Sequence, residues 1–466
     1  MKHKVVRISR RKWLKKSIAS VMLINMLCMS SLPLVVLAEG EATTKTEAPA
    51  TDATKTETPS KAVKIPDVKS LGLQVKSAVL IEPTTGEILL SVNSDVALPP
   101  ASMSKMMTEY IVADQVKQGK LKWDDVVTVG ANASKQVGSR IFLAEGDQHT
   151  VEELYIAMAV GSANDASVAL AERVATSEEA FVQIMNDTAK RMGMKTAHFI
   201  NATGLSRADM PEEFRPSEDK ETVMSAMDTA LLAKFIVQDH PDFSRFTALQ
   251  SFKFRDRDTK PIINYNWMLE ANKDITNFKA YAYPGLDGLK TGHTIAAGNC
   301  FTGTAERDGM RLISVVMGAE TNAARFVETK KVLDFGFNNF ESKQVVAPKS
   351  VVVGTETVPV KKAVETTVGV VSDLDVKFMV PKGTQNPAIT SKVTLLNEDE
   401  LVAPLAKGTK VGTITYTYKA EGMNAQEKTV NLVTADEVEK GGWFRLMFRA
   451  IKDLFVDLFD GIKNLF

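Results

Sequence analysis

Strand patterns stand at both ends of the region 66–342, and helical patterns fill the space between them. Residues 77–92 contain the turn Pro83-Thr84-Thr85-Gly86 between two strand-like runs, which predicts a β-hairpin. Residues 297–306 and 310–318 predict a second strand pair, followed by a helix over 322–335. Strands from the two ends of a region can share a sheet only if the chain between them folds back and brings those ends together. We therefore predict one sheet, closed by the ends of this region, with helices packed against it.

Further helices are indicated between these strands. Thr150 and Glu153 have the spacing of a capping box ahead of an apolar run. Helical periodicity also predicts helices over 177–192 and 218–235.

The residue composition and pattern change over residues 343–437. Short Val- and Thr-rich runs such as SVVVG and TITYTY alternate with Gly, Pro and Asn, which predicts a small all-β domain. This region contains no His and no Cys, so we interpret it as a spacer or binding platform.

The tail 441–466 predicts an amphipathic helix. Its aromatic and aliphatic residues, from Trp443 to Phe466, gather on one side of a helical wheel, and its charges fill the other. Charges recur too often for a spanning helix, which needs about 20 predominantly apolar residues. We expect a helix that lies in the membrane interface. The alternative is a terminal helix docked on the protein's own core.

The first residues indicate export. Residues 1–16 carry eight Lys or Arg and no acid, and residues 17–38 carry no charge, which predicts a signal peptide over 1–38. An uncleaved anchor is the alternative. Residues 39–65 have the composition of a disordered linker. After cleavage Cys300 is the only cysteine, so no intramolecular disulfide can form. We expect the body of the protein on the outer face of the cytoplasmic membrane.

The stretch PASMSKMMTEYIVADQV (100–116) holds a Ser-x-x-Lys pair, Ser102 and Lys105, where a helix begins. Residues three apart share one side of a helix, so the hydroxyl and the amine point the same way. The pair alone is weak evidence, because a serine at a helix start is commonly only a cap. Ser217 and Lys220 match the same pattern.

Two further short motifs follow in order. Ser162-Ala163-Asn164 stands where one helix ends and another begins, and Lys290-Thr291-Gly292 opens the second strand pair. The order Ser-x-x-Lys, Ser-x-Asn, Lys-Thr-Gly is a specific signature. With PASMSKMMTEYI, GSANDAS, HFINATGL and DGLKTGHT, the region 76–340 resembles the penicillin-binding proteins, above all the low-molecular-mass serine-type D-alanyl-D-alanine carboxypeptidases.

The resemblance implies a fold class. It is an α/β (α+β), β-lactamase/DD-peptidase-like catalytic domain, with an antiparallel sheet flanked by helices, followed by a small all-β domain and a C-terminal amphipathic helix. One departure is Ala163, where the class A β-lactamase form has Asp; this counts slightly against a β-lactamase.

Physical chemistry gives the catalytic residues compatible roles. A serine hydroxyl is a poor nucleophile, so Ser102 needs a base, and Lys105 can serve if its amine is kept neutral. Burial and a nearby cation such as Lys290 both lower the pKa of a lysine. Ser162 can relay the proton to the leaving amine.

The remaining candidates bind substrate. Asn164 can orient Lys105 and bind the peptide carbonyl. Lys290 and Thr291 would receive the terminal carboxylate, and Gly292 would let the peptide lie close along the strand. Backbone N–H groups of Ser102 and His293 would form the oxyanion hole. By resemblance, Arg325 is a second carboxylate contact.

Other classes of function lack their residues. The chain has no Gly-x-Ser-x-Gly elbow for a Ser-His-Asp triad and no metal spacing among its five histidines. We expect no metal and no cofactor. Removal of residues 1–38 leaves 49 basic against 57 acidic residues, a net charge of −8, so we expect no nucleic acid partner.

The leading hypothesis is a serine D-alanyl-D-alanine carboxypeptidase that removes the terminal D-Ala from peptidoglycan pentapeptide stems through a Ser102 acyl-enzyme. Its expected partners are the stem pentapeptide, β-lactam antibiotics as covalent inhibitors, and the membrane surface. The alternatives are a DD-endopeptidase, a serine β-lactamase of the same fold, and a penicillin-binding sensor without turnover.

Overall fold

The computed structural model describes residues 64–463, without the side chains of residues 457, 458 and 460–462. The predicted signal peptide (1–38) and nearly all of the predicted linker (39–65) lie outside the described residues, as do the last three residues of the predicted tail helix. The described strands are β1 (Ser77–Ile81), β2 (Ile88–Val92), β3 (Val126–Thr128), β4 (Gln148–Thr150), β5 (Ser251–Phe252), β6 (Ile262–Ile263), β7 (Leu286–Thr294), β8 (Gly298–Arg307), β9 (Met310–Ala319), β10 (Phe340–Val346), β11 (Thr357–Pro359), β12 (Thr367–Ser372), β13 (Val376–Pro381), β14 (Ile389–Leu395), β15 (Lys410–Tyr418) and β16 (Gln426–Thr434). The described helices are α1 (Lys105–Lys117), α2 (Ala131–Ser134), α3 (Val151–Gly161), α4 (Asn164–Ala175), α5 (Glu178–Met192), α6 (Ala226–Asp239), α7 (Ser244–Thr247), α8 (Asn322–Asn339) and α9 (Trp443–Lys463).

The central sheet has five antiparallel strands in the order β2-β1-β9-β8-β7. The N-terminal hairpin joins the C-terminal strand pair through β1 and β9, with Val79 opposite Val315. The prediction of one sheet closed by the two ends of the region is confirmed. Because the sheet ends at β7 on one side, one edge of that strand is not paired with any other described strand.

Strand β9 shows how the sheet buries both faces. Ile313, Val315 and Met317 point into a core that includes side chains of α1, α5 and α6. Leu312 and Val316, on the opposite face, pack in a second core with α8. Successive side chains of a strand point to opposite faces, so a nearly continuous apolar run is what a strand covered on both faces requires.

The helices between the strands are positioned by local capping. Thr150 and Glu153 form the predicted capping box at the start of α3, with main-chain to side-chain distances of 2.8 and 3.2 Å. Ser177 caps α5 through the N–H of Ala180. The predicted start of the helix over 218–235 is wrong, since α6 begins at Ala226. The preceding residues instead form isolated bridges to residues 98 and 198, which commit their backbone elsewhere.

The β-rich part begins with β10, directly after α8. Strands β10 and β13 form one pair, and the order β11-β12-β16-β15-β14 forms a separate five-stranded sheet. Val358, Phe378, Ile414 and Leu432 contribute to a core of its own. The prediction of an all-β region followed by a terminal helix is confirmed.

Helix α9 exposes large apolar side chains. Trp443, Phe444, Phe448, Phe455 and Phe459 are each 64–71% exposed. No helix within residues 64–463 is long and apolar enough to cross a bilayer.

The same helix is tied to the β-rich part by two arginines. The guanidinium of Arg445 donates to the carbonyl of Val364, and that of Arg449 donates to the carbonyls of Ala363 and Val364, at 3.1–3.2 Å. These contacts are polar, so they leave the apolar side of α9 uncovered.

Candidate active site

Ser102 and Lys105 lie together at the start of α1. A short 3₁₀ helix, Ala101–Ser104, precedes the α-helix, and Ser102 is partly exposed on it. Lys105 is fully buried, and its Nζ lies 3.1 Å from the Ser102 Oγ. A buried amine within hydrogen-bond distance of an accessible hydroxyl is the geometry of a nucleophile and its base.

The charge state of Lys105 is set by its surroundings. Burial, and secondly the positive charge of Lys290, lower the pKa of Lys105 well below the ordinary lysine value. Its Nζ donates a hydrogen bond to the carbonyl of Thr203 at 2.7 Å. A neutral amine can make this donation and still keep its lone pair for the Ser102 hydroxyl proton.

The loop that supplies the Thr203 carbonyl is tightly held. The Asn201 side-chain oxygen accepts hydrogen bonds from the N–H groups of Thr203 and Gly204, at 3.1 and 2.7 Å. Gly204 has a φ of +80°, and a Cβ there would lie 2.0 Å from the Ala101 carbonyl oxygen. Sequence analysis noted the stretch HFINATGL without giving it a role, because a main-chain carbonyl leaves no signal of its own.

Ser162 and Asn164 stand at the junction of α3 and α4, and α4 packs against α1. Ser162 ends α3 in the left-handed conformation, with φ 57°, and its buried Oγ has no hydrogen-bond partner in the described structure. The Asn164 amide donates to the carbonyl of Val137 at 2.5 Å. An unpartnered buried hydroxyl is costly unless a substrate or a proton transfer uses it.

Sequence analysis missed Asp165, which organises this junction. Its buried carboxylate accepts hydrogen bonds from the N–H groups of Ile141 and Leu143, at 3.0 and 3.1 Å. These bonds hold the loop against which Asn164 rests. An acidic residue next to a motif is indistinguishable in sequence from a solvated one.

Lys290, Thr291, Gly292 and His293 lie in succession on β7. Lys290 and Thr291 are buried, and His293 is exposed with its Nδ1 3.2 Å from the Gly298 carbonyl oxygen. Burial lowers the pKa of Lys290 to about 8.

Gly292 brings β7 against the turn that carries the nucleophile. A Cβ at this position would lie 2.5 Å from the Pro100 carbonyl oxygen and 3.3 Å from the Met103 nitrogen. Only a residue without a side chain permits this approach. The edge of the sheet and Ser102 are therefore adjacent.

Arg325 reaches the same strand from α8. Its Nη1 donates to the Gly292 carbonyl at 3.2 Å, and its buried Nε has no partner in the described structure. Burial lowers its pKa to about 10. Arg325 and Lys290 thus place two cationic groups beside β7.

Ser217 and Lys220, the second Ser-x-x-Lys match, form no comparable site. Both are exposed, and the Lys220 amine pairs with Glu218 at 2.8 Å. No group of three or more His, Cys, Asp or Glu in the described residues could hold a metal ion.

An antiparallel sheet flanked by helices, with these three motifs gathered beside its edge strand, defines the class of the catalytic part. It is a β-lactamase/DD-peptidase-like domain. A family model for D-alanyl-D-alanine carboxypeptidases matches residues 61–321, and a model for the C-terminal domain of penicillin-binding protein 5 matches residues 340–440. The chain therefore belongs to the D-alanyl-D-alanine carboxypeptidase family, as its motifs indicated.

Individual relatives agree with this assignment. The D-alanyl-D-alanine carboxypeptidase DacF of Bacillus subtilis is 33% identical over 383 residues, covering 82% of this chain and 90% of that protein. DacC of Escherichia coli is 33% identical over 81% of this chain and 87% of its own length. Among solved structures, penicillin binding protein 5 from Haemophilus influenzae has a TM-score of 0.63 at 30% identity, covering 81% of this chain and all of the other. A peptidoglycan synthesis regulatory factor from Streptococcus pneumoniae has a TM-score of 0.68 at 28% identity, covering 79% and 100%.

Proposed function

We propose that this carboxypeptidase releases the terminal D-alanine of peptidoglycan pentapeptide stems through an acyl-enzyme on Ser102. The observation that carries the proposal is the fully buried Lys105 amine, 3.1 Å from the Ser102 Oγ. Its lowered pKa favours the neutral form that a base requires.

The reaction runs in two steps. In the first, Ser102 Oγ attacks the carbonyl of the last peptide bond while Lys105 takes the hydroxyl proton. The C–N bond then breaks, and the Ser162 hydroxyl relays the proton from Lys105 to the departing D-alanine amine, which leaves Lys105 neutral. In the second step, water attacks the ester, and the tetrapeptide leaves with the Ser102 hydroxyl restored.

The substrate's carboxylate is the group that distinguishes a carboxypeptidase. Lys290 and the Thr291 hydroxyl receive it, and Arg325 supports this region through the Gly292 carbonyl. Asn164 contacts the peptide carbonyl. The N–H groups of Ser102 and His293 stabilise the oxyanion, which the close packing of β7 on the Pro100 turn supports. β-Lactam antibiotics acylate Ser102 by the same route.

The experiment is incubation with pentapeptide muropeptides and cross-linked dimers, followed by mass analysis. We expect tetrapeptide and free D-alanine, and intact dimers. Ser102→Ala should abolish both this release and labelling by fluorescent penicillin, while Ser217→Ala should retain both. Release that persists in Ser102→Ala would overturn the assignment, and cleavage of the dimers alone would identify an endopeptidase.

We propose further that the protein acts outside the cytoplasm, held at the membrane surface by α9. The support is the basic and apolar composition of residues 1–38 and the row of exposed aromatic side chains on α9. A helix with one apolar face suits the boundary between lipid headgroups and acyl chains. Fractionation of cells that produce the full chain tests the location, and recovery in the cytosol would contradict it.

A further inference from the structure

Three buried ionisable side chains lie behind the nucleophile. Lys105, Glu109 and Lys290 are 0%, 2% and 2% exposed. Glu109 follows Lys105 by four residues on α1, so both lie on the same face of this helix. Lys290 approaches from β7, which packs against α1.

The Glu109 carboxylate has no structural partner that explains its burial. Its Oε1 is buried without a hydrogen-bond partner, and within residues 64–463 it forms no ion pair inside 4.0 Å. The Tyr155 hydroxyl donates to the main-chain carbonyl of Glu109, not to its carboxylate. Burying a carboxylate in this way is costly, so the charge of this residue needs a reason.

Charged and titratable groups on four of the helices around this cluster interact with it. They are Tyr155 on α3, Asp165 on α4, Glu178 on α5 and Arg325 on α8. The two acids among them act on Lys105 and have other hydrogen-bond partners.

Lys290 has a different balance of charges. Arg325 disfavours its protonated form, and Glu109 is the acidic group in the described structure that favours it. Burial raises the pKa of Glu109 to about 7, and both lysines oppose that rise. The catalytic cycle needs opposite charge states in the two lysines, a neutral Lys105 and a cationic Lys290.

We propose that Glu109 is a positioning residue whose carboxylate balances the positive charge of Lys290, so that Lys290 stays an ammonium in the free enzyme. This rests on the roles proposed above for the two lysines. With Glu109 ionised, the three groups sum to zero charge. Without it, Lys290 and Arg325 face each other as buried cations until a substrate carboxylate arrives.

The consequence is a specific change with pH. A negative charge makes it harder for both lysines to lose a proton, so its removal moves both limbs of the kcat/KM profile to lower pH. We expect a shift of about one pH unit, typical of losing one nearby opposite charge. Activity would then fall about tenfold above pH 9 and rise below the acid limb.

The test is the pH profile of kcat/KM for the pentapeptide, and of acylation by benzylpenicillin, in Glu109→Gln. Glu109→Ser is a second neutral variant if the first fails to fold, and Glu109→Asp, which keeps the charge, should retain limbs near those of the wild type. Glu87→Gln is the matched control, because Glu87 is also buried, has an unpartnered Oε1 and has its pKa raised to about 7 by burial, without a lysine acting on it.

The possible outcomes distinguish the proposed role of Glu109 from other roles and from failure of the proposed function. Equal losses at every pH in Glu109→Gln would show a structural or directly catalytic role and overturn the proposal, as would an unchanged profile. The same shift in Glu87→Gln would also overturn it. If the wild type itself releases no D-alanine and takes no label at Ser102, the proposed function has failed, not the inference about Glu109.

Discussion

The side-chain nitrogen of Lys105 donates to the main-chain carbonyl of Thr203 at 2.7 Å, a shorter distance than the 3.1 Å that separates it from the Ser102 Oγ. The amine is therefore oriented from the far side by a fixed backbone group. One N–H is occupied, and the lone pair of the neutral form is left for the serine. The loop that carries Thr203 thereby becomes part of the machinery without supplying a side chain.

Replacement of Lys105 by Ala should slow acylation by about 10²–10⁴, the usual cost of losing a general base. Peptide and penicillin should be affected alike, because both acylate Ser102. The measurement is the rate of adduct formation under single-turnover conditions. Lys220→Ala, at the exposed second match, is the control and should react normally; normal acylation by Lys105→Ala would mean that another group is the base.

The basic limb of kcat/KM should report Lys290. Burial lowers its pKa to about 8, so above that pH the ammonium loses its proton and with it the attraction for the substrate carboxylate. We expect kcat/KM to fall about tenfold for each further pH unit. A bound carboxylate favours the ammonium, so the limb of kcat should lie at higher pH. Lys290→Ala should raise KM and abolish this limb; a limb that stays in that variant belongs to a different group.

Gly292→Ala should displace β7 from the Pro100 turn, because its Cβ would lie 2.5 Å from the Pro100 carbonyl oxygen. We expect a loss of about 1–3 kcal/mol in the free energy of unfolding, as for other overpacked sites. Displacement by about 1 Å can cost roughly 10²-fold in rate. Thermal melting and penicillin acylation measure the two effects. Gly442→Ala, which meets nothing within 4 Å, is the control, and equal behaviour of the two variants would contradict the packing argument.

The tail should hold the protein on lipid through apolar contacts. Residues 445–466 carry four basic and three acidic residues, so attraction to anionic lipid is minor. Burying a large apolar side chain is worth roughly 1.5–3 kcal/mol. We expect the mature chain to bind vesicles with little dependence on salt, and joint replacement of Phe455 and Phe459 by Ser to release it without loss of catalysis.

A chain cut after Gly441 separates this from docking of the helix on the protein itself. We expect that form to stay soluble, to melt cooperatively and to release D-alanine from a soluble peptide. Loss of its melting transition would mean that α9 belongs to the protein's own core.

Much of the catalytic sheet could be predicted, because its strands carry local signals. The strand patterns of 77–92 and 310–318 are readable in single segments, and their joining was inferred from their positions at the two ends of the region. The start of α6 was not readable, since residues 223 and 224 bridge to partners more than 20 residues away. Ser225 caps α6 through the N–H of Asp228, but such a cap is recognised only once the preceding backbone is known to be extended.

Part of the site could also be predicted, because some of its residues carry local sequence signals. Ser102, Lys105, Ser162 and Lys290 stand in short motifs with fixed spacing, whereas Glu109 is a single acidic residue within a helix. Glutamate is almost never buried unless paired, so sequence reasoning assigns it to solvent. Only packing of β7 on α1 shows that this one faces two lysines.

The bonds from Arg445 and Arg449 to the carbonyls of residues 363 and 364 affect how far this enzyme can reach. A flexible linker between the helix and the rest of the protein would let the catalytic domain reach a deep layer of the cell wall from one anchoring point. A helix held against the β-rich domain instead keeps that domain close to the anchoring point. If α9 lies on the membrane, as proposed, Ser102 would reach only those stems that lie within a limited distance of the lipid.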